Sequence, residues 1–227
     1  MKQNGNTVTA NGCETDMKEA QGKYFPLSIE TLLHSTELPL DDEAKMKLIS
    51  NHFRQIMLLL GLDMSDDSLK GTPDRVAKMY VKEIFSGLNA DNKPKITLFE
   101  NKYSYKEMLV KKDITVYSYC EHHFVPIIGK AHVAYISGGK IIGLSKINRL
   151  VRYYCKRPQV QERLTEQIAH ALKEALATED VAIVIEATHL CVASRGVNDN
   201  GSSTITSHYS GKFTKEKTQR KFLSYLK

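Results

Sequence analysis

Apolar residues recur along this chain at two different periods, and the change of period divides it. From Asp41 onward, Met46, Ile49, Phe53, Met57 and Leu60 repeat at three and four, the stripe of an amphipathic helix. Asp41 and Asp42 open that helix, and Gly61 is a natural C-cap. A second helix starts at Thr72-Pro73, a threonine N-cap followed by proline at the first helical position. Val76, Met79, Tyr80 and Ile84 form its apolar side, and Gly87 ends it. Residues 89–94 read as a loop, and a boundary near 88–95 separates a helical part from a β-rich part.

Beyond that boundary the pattern changes to β-branched and aromatic runs. Residues 114–119 and 131–136 read as strands. Gly138-Gly139 makes a tight turn into residues 141–144, which predicts a hairpin with the strand before it. Ser145 caps a short helix carrying Ile147, Leu150, Val151 and Tyr154. A longer helix follows, with Val160, Leu164, Ile168, Leu172 and Leu176 spaced by four. Residues 181–188 form a strand and 203–213 a last one, before a basic, helical C-terminus over 215–227. Strands and helices do not alternate regularly. That order predicts an α+β fold with an antiparallel sheet, not a doubly wound parallel one.

Composition narrows the function classes. The 227 residues are 41% hydrophobic and 26% charged, which suits a globular protein with a real core. Residues 1 to about 23 are polar and aperiodic and read as a weakly ordered tail. No run approaches the roughly 20 apolar residues of a membrane span, and the first thirty residues lack a signal-peptide core. The expectation is a cytoplasmic protein without membrane contact. There, clustered cysteines are more often metal-binding or catalytic than disulfide-bonded. The net charge of +6 fits an anionic substrate and is too small to argue for nucleic acid.

The densest constellation is Cys120-Glu121-His122-His123, with His189-Leu190-Cys191 far downstream. Cys120 and His123 chelate a metal if the segment between them turns, and Cys191 would be a third ligand. Three Cys/His ligands favour a catalytic zinc site with an open position. Buried structural thiols are the competing reading. If the strand before His189 continues, His189 and Cys191 face the same side. A histidine beside a metal-bound water is suited to proton transfer, and His122 is placed for a related part. Arg75, Lys146, Arg149 and Arg195 lie beside Gly, Ser or Thr near element ends; each suits phosphate or is a solvated surface charge. Glu162, in the first turn of the long helix, complements its dipole or accepts two N–H donors from a ligand. Cys155 reads as a packed thiol, His132 and His170 as structural, and His208 as surface or core. Neither a P-loop nor a dinucleotide-binding glycine turn occurs.

These residues resemble a known family. The set Gly71-Thr-Pro-Asp-Arg-Val-Ala-Lys-Met79, Cys120-Glu-His-His-Phe-Val-Pro126, Gly143-Leu-Ser-Lys146, Gln159-Val-Gln-Glu-Arg-Leu-Thr165, His189-Leu-Cys191 and Arg195-Gly-Val197 is similar to GTP cyclohydrolase I, in order, from about Asp41 to the C-terminus. The resemblance implies hydrolysis of GTP at C8, giving formate and 7,8-dihydroneopterin triphosphate on the way to folates and pterins. It implies the tunnelling fold, an antiparallel sheet with two helices on one face, preceded by a helical N-terminal region. The divisions would be a disordered tail over 1–26, a helical region over 27–95 and a catalytic domain over 96–227. Two pentamers would stack into a homodecamer with active sites at subunit interfaces.

Carried over, Cys120, His123 and Cys191 would ligate Zn2+, and His122 and His189 would handle protons. Glu162 would hold the guanine edge with help near Val160 and Gln161. Arg75, Lys146, Arg149 and Arg195 would face the triphosphate and ribose, and Ser145 the ribose side. Val192-Ala193-Ser194 departs from the methionines usual in the family, at positions read as packing. The alternative is a catalytically silent purine- or pterin-binding relative of the same fold.

Overall fold

The computed structural model describes residues 40–227; the expected tail, Cys13 and His34 lie outside the described residues. Helix α1 spans Asp42–Leu59. The Asp41 carboxylate accepts from the Ala44 N–H at 2.8 Å, satisfying one of the first-turn donors that have no partner within the helix. At the other end Gly61 adopts φ 79°, a left-handed conformation that glycine takes without Cβ strain. The Leu62 N–H then reaches the Met57 carbonyl and the Gly61 N–H that of Leu58, which closes the last turn. Only Met57 of the stripe is fully buried, and Leu59 and Leu60 are exposed.

Helix α2 covers Thr72–Lys78 and passes into a π-helical segment over Met79–Ile84. The expected single helix to Gly87 therefore loosens midway. Its cap also differs. Gly71, not Thr72, is the N-cap, and the Thr72 hydroxyl accepts instead from Arg75 at 2.7 Å. Gly87 is where this helical part meets the rest. Its N–H donates to the Lys156 carbonyl at 2.8 Å, and its carbonyl accepts from Arg157 Nε at 2.9 Å. The approach is so close that a Cβ there would lie 2.2 Å from the Tyr153 carbonyl oxygen.

The main sheet comprises β2 (Met108–Cys120), β3 (Pro126–Ile136), β5 (Pro158–Gln159), β6 (Val181–His189) and β7 (Thr204–Tyr209) in the order β5-β2-β3-β6-β7. All its pairings are antiparallel except the short β2–β5 contact. The antiparallel expectation holds, with both first strands longer than their β-branched cores implied. The predicted hairpin does not form: β4 (Lys140–Ile142) pairs with β1 (Leu98–Glu100). The reason is steric and electrostatic. Both edges of β3 are already hydrogen-bonded, to β2 and β6, so the segment after the glycine turn must find another ladder for its N–H and C=O groups.

Helices α3 (Leu144–Cys155) and α4 (Gln161–Leu176) cover one face of the sheet. Ile147, Leu150 and Val151 of α3 and Leu164, Ile168 and Leu172 of α4 pack with Val116, Val133, Ile183 and Ile185. Gly143, not Ser145, caps α3, which leaves Ser145 exposed in its first turn. Alternate residues of the same strands, Ala134, Ala182 and Val184, face the other side against Phe213 and against Phe222 of α6 (Glu216–Ser224). The last strand stops at Tyr209, and Phe213 reaches that second core from a 3-10 turn. Among the described residues no helix is long and apolar enough to cross a membrane.

A bulge in β2 between Lys111 and Ile114 places the Asp113 N–H 3.2 Å from Nδ1 of His132, which must be unprotonated to accept it. Burial holds His132 below the ordinary histidine range, against the pull of Asp113 and Glu186 and with that of Lys130 and Lys112. Below about pH 6.5 the unfolded chain gains a proton that the folded one resists, so stability falls as pH falls. The melting temperature should decline between pH 7 and pH 5.5, and His132→Gln should flatten that slope; equal slopes in both proteins would refute the assignment. Gly87→Ala forces a methyl against the Tyr153 carbonyl and should cost about 1–3 kcal/mol, seen in a thermal melt as a drop of roughly 2–12 °C.

Candidate metal and catalytic site

The site forms where β2 and β6 end. Cys120 is the last residue of β2, and the chain turns back at once: the Phe124 N–H donates to the Cys120 carbonyl and the Cys120 N–H to the Val125 carbonyl. This is the turn that the Cys-x-x-His spacing needs. Across the β3–β6 ladder His189 stands opposite Ile127, near the start of β3, and Cys191 follows in the one-turn helix α5 (Leu190–Ala193). The ligand atoms of Cys120, His123 and Cys191 consequently lie within 4.8 Å of one another. Cys120 is buried, Cys191 half-buried and His123 exposed.

The strand stops at His189, so the same-side argument from a continuing strand does not apply; the turn of α5 brings Cys191 in. Burial, and then the neighbouring Cys120 sulfur, push the Cys191 thiol up. Two thiolates this close repel, and a divalent cation between them reverses the balance. Two thiolates and an imidazole are a donor set suited to zinc.

Around this group the histidines are differently held. His122 is exposed, with Nδ1 3.6 Å from Cys120 Sγ. Nε2 of His189 lies 2.7 Å from Oε1 of Gln161. The Gln161 amide nitrogen points the other way, donating to the carbonyls of Ile185 (3.0 Å) and Thr204 (2.9 Å) and to the Thr206 hydroxyl (3.2 Å). An amide nitrogen is donor-only, so the oxygen must face His189, and His189 must carry its proton on Nε2. Nδ1 of the neutral ring is then the basic nitrogen. Burial lowers the His189 pKa, with Glu162 opposing.

The Gln161 side chain is thus committed to His189, which leaves its backbone N–H, with those of Glu162 and Arg163, among the unpaired first-turn donors of α4. Val160 is the extended N-cap residue of that helix, and Glu162 is exposed beside it. Arg195 donates from Nη1 to Nε2 of His123 at 2.9 Å. An imidazole bound to a metal through one nitrogen carries hydrogen on the other, so Arg195 must leave His123 when a cation binds.

The other expected residues are engaged locally or stand on α3. Arg75 donates to the Ser68 carbonyl and the Thr72 hydroxyl, and Ser145, Lys146 and Arg149 lie along the first turns of α3. None of them makes a hydrogen bond or ion pair to the Cys/His cluster among the described residues. Cys155 is a buried thiol pushed up to about 12 by desolvation, as a packing role requires. Sequence reasoning missed Glu121 and Arg163, which form an ion pair. The signal was present: a carboxylate between two ligands, and an arginine four residues after Gln159.

Fold and site define an α+β protein whose Cys120, His123 and Cys191 could hold a metal ion beside His189 and the first turn of α4. The chain belongs to the GTP cyclohydrolase I family, which it matches over residues 49–227. It is 56% identical to GTP cyclohydrolase 1 of Flavobacterium johnsoniae, covering 94% of this chain and 96% of that one. Identity to the Aeromonas hydrophila enzyme of that name is 53%, over 92% and 93% of the two chains. The Aliivibrio fischeri enzyme is 58% identical over 82% and 86%.

Replacing Gln161 by Leu removes the partner of His189 and strips the Ile185 and Thr204 carbonyls of a donor. Unmet buried carbonyls should cost about 1–3 kcal/mol in stability. In 15N spectra of histidine-labelled protein, the wild type should show His189 with its proton on Nε2 and Gln161→Leu a tautomer mixture. The same single tautomer in both would remove Gln161 from this role.

Proposed function

We propose that this protein is a zinc-dependent GTP cyclohydrolase I that converts GTP to formate and 7,8-dihydroneopterin triphosphate, in the cytoplasm, at the entry to folate or another pterin pathway. The observation that carries the reading is the convergence of Cys120, His123 and Cys191 beside a histidine whose tautomer is fixed by Gln161, in a chain of this family.

Cys120, His123 and Cys191 would hold zinc, leaving a fourth position open. When bound, zinc supplies Lewis acidity and lowers the pKa of a coordinated water toward about 7. The Glu162 carboxylate accepts two N–H donors from the guanine edge, while backbone N–H groups of the α4 first turn, around Val160 and Gln161, meet its oxygen. C8 of guanine is a poor electrophile until N7 is protonated, and His189, once it has taken up a proton on Nδ1, is suited to give it. After ring opening and formate release, His122 and Ser145 serve proton transfers near the sugar as it rearranges and the six-membered ring closes. Arg75, Lys146, Arg149 and Arg195 bind and orient the triphosphate, which the reaction leaves intact.

In one copy four of these groups, Arg75, Ser145, Lys146 and Arg149, make no hydrogen bond or ion pair to the Cys/His cluster among the described residues, which supports an active site completed by a neighbouring subunit. The sheet lends itself to such an assembly. β2 and β7 run in opposite directions at its two sides, so copies can join edge to edge in the antiparallel sense and close a barrel. We place this tunnelling-fold barrel in a homodecamer of two pentamers. The exposed Leu48, Ile56, Leu59 and Leu60 of the N-terminal helical region are apolar surface of the kind that assembly covers.

Purified protein of measured zinc content, incubated with GTP, should release formate and yield a fluorescent oxidised neopterin. His189→Ala should reduce the rate by about 10²–10⁴-fold while keeping the metal, and Cys191→Ser should lose both metal and activity. A zinc-loaded wild type that binds GTP without releasing formate would instead establish a silent binding protein.

A further inference from the structure

Arg163 follows Glu162 in the first turn of α4, and its side chain is only 14% exposed. Its guanidinium serves three acceptors on two other segments. Nη2 donates to the Glu121 carboxylate and, at 3.0 Å, to the Pro158 carbonyl; Nε donates to Gln159 Oε1 at 3.2 Å. Glu121 is the first residue of the turn between Cys120 and His123, and its N–H donates to the Gln159 carbonyl at 3.0 Å. Gln159 is held in turn: its Nε2 donates to the Tyr154 carbonyl at 3.0 Å and to Gln167 Oε1 at 2.7 Å. The other Glu121 oxygen lies 3.9 Å from Nε2 of His122.

Apart from this carboxylate, side-chain contacts hold the turn at Phe124, packed edge-on against Phe85 and Tyr80, and at His123, which Arg195 meets. His122, His123 and Phe124 are exposed, and backbone bonds fix the turn mainly at its Cys120 and Val125 ends. An exposed turn pays backbone entropy each time it must present a ligand in one geometry. The planar arginine fork removes that freedom, because it is itself fixed by Pro158 and Gln159 before it meets Glu121. The ion pair is partly shielded from water, so salt screens it less than a surface pair.

We propose that Arg163 and Glu121 act as a positioning clamp. It locks the turn carrying His123 to the first turn of α4, so that the metal ligands and the purine-binding carboxylate Glu162 keep one relative placement. The proposal rests on the zinc and GTP reading above. Neither residue touches substrate in it; both act through their neighbours.

The test uses the full chain in its native assembly, loaded with zinc, and follows zinc transfer to a chromogenic chelator and GTP binding. Glu121→Ala and Arg163→Lys should each release zinc about 10–100-fold faster, the range for groups that orient metal ligands, and bind GTP more weakly. Glu121→Ala leaves Arg163 with Pro158 and Gln159, so it should fold and melt like the wild type. The double variant should be no worse than the poorer single one, because both substitutions break one connection. Unchanged zinc release in Glu121→Ala, or effects that multiply in the double variant, would overturn the clamp. A wild type that binds GTP but retains no zinc would overturn the zinc reading instead.

Discussion

The site depends on the way β3 is paired on both edges. Its ladder with β2 sets where the chain turns after Cys120, and its ladder with β6 sets His189 opposite Ile127. Cys120 and Cys191, 71 positions apart in the chain (191 − 120), meet because both follow from those two registers. Strand side chains alternate, so a slip of one residue in either ladder would send the inward set outward. The inward set here is the core itself: Val116, Val133, Ile183 and Ile185 against α3 and α4. Hydrophobic burial therefore fixes the register, and the register delivers the Cys/His group. The soft donors need no attraction of their own to assemble.

A second layer of order comes from buried amides. Gln159, Gln161 and Gln167 are all shielded from solvent, where an unpaired amide is expensive. Each is used to join segments. Gln161 ties α4 to β6, β7 and His189, and Gln159 ties β5 to the end of α3 and to α4. Such a network tolerates few alternative arrangements, since moving one member strands the partners of the next. That rigidity is what the proton-transfer role proposed for His189 requires. A histidine rotating between two tautomers would offer the right nitrogen only part of the time.

Much of this was legible in the sequence, for identifiable reasons. Strong periodicity placed α1, α3, α4 and β6, and the Cys-x-x-His spacing foretold the turn after β2. The ligand trio followed from residue chemistry together with the family resemblance. What escaped depends on partners that local pattern does not encode. β4 was assigned to β3 because a glycine turn joins them, yet β3 has no free edge. The caps of α2 and α3 fell one or two residues early, on Gly71 and Gly143, because other contacts claim the Thr72 hydroxyl and the fold begins α3 at Leu144. The Gln161 side chain's tie to His189 escaped notice, because the three long-range acceptors that orient its amide are invisible in sequence.

The remaining mismatch is between charge and chemistry. A triphosphate needs several cations at once, and the residues suited to it are divided. Arg195 lies against the metal ligands, whereas Lys146 and Arg149 are on α3 and Arg75 is tied to the loop before α2. On the proposed reading, one chain thus brings together the groups for purine and metal but few of those for phosphate. The geometry also links the two halves. On the proposed reading, a cation on His123 would displace Arg195 from Nε2, because that nitrogen could no longer accept, and leave the guanidinium free to meet phosphate. Metal loading and anion binding would then favour each other through one side chain, without any movement of the sheet.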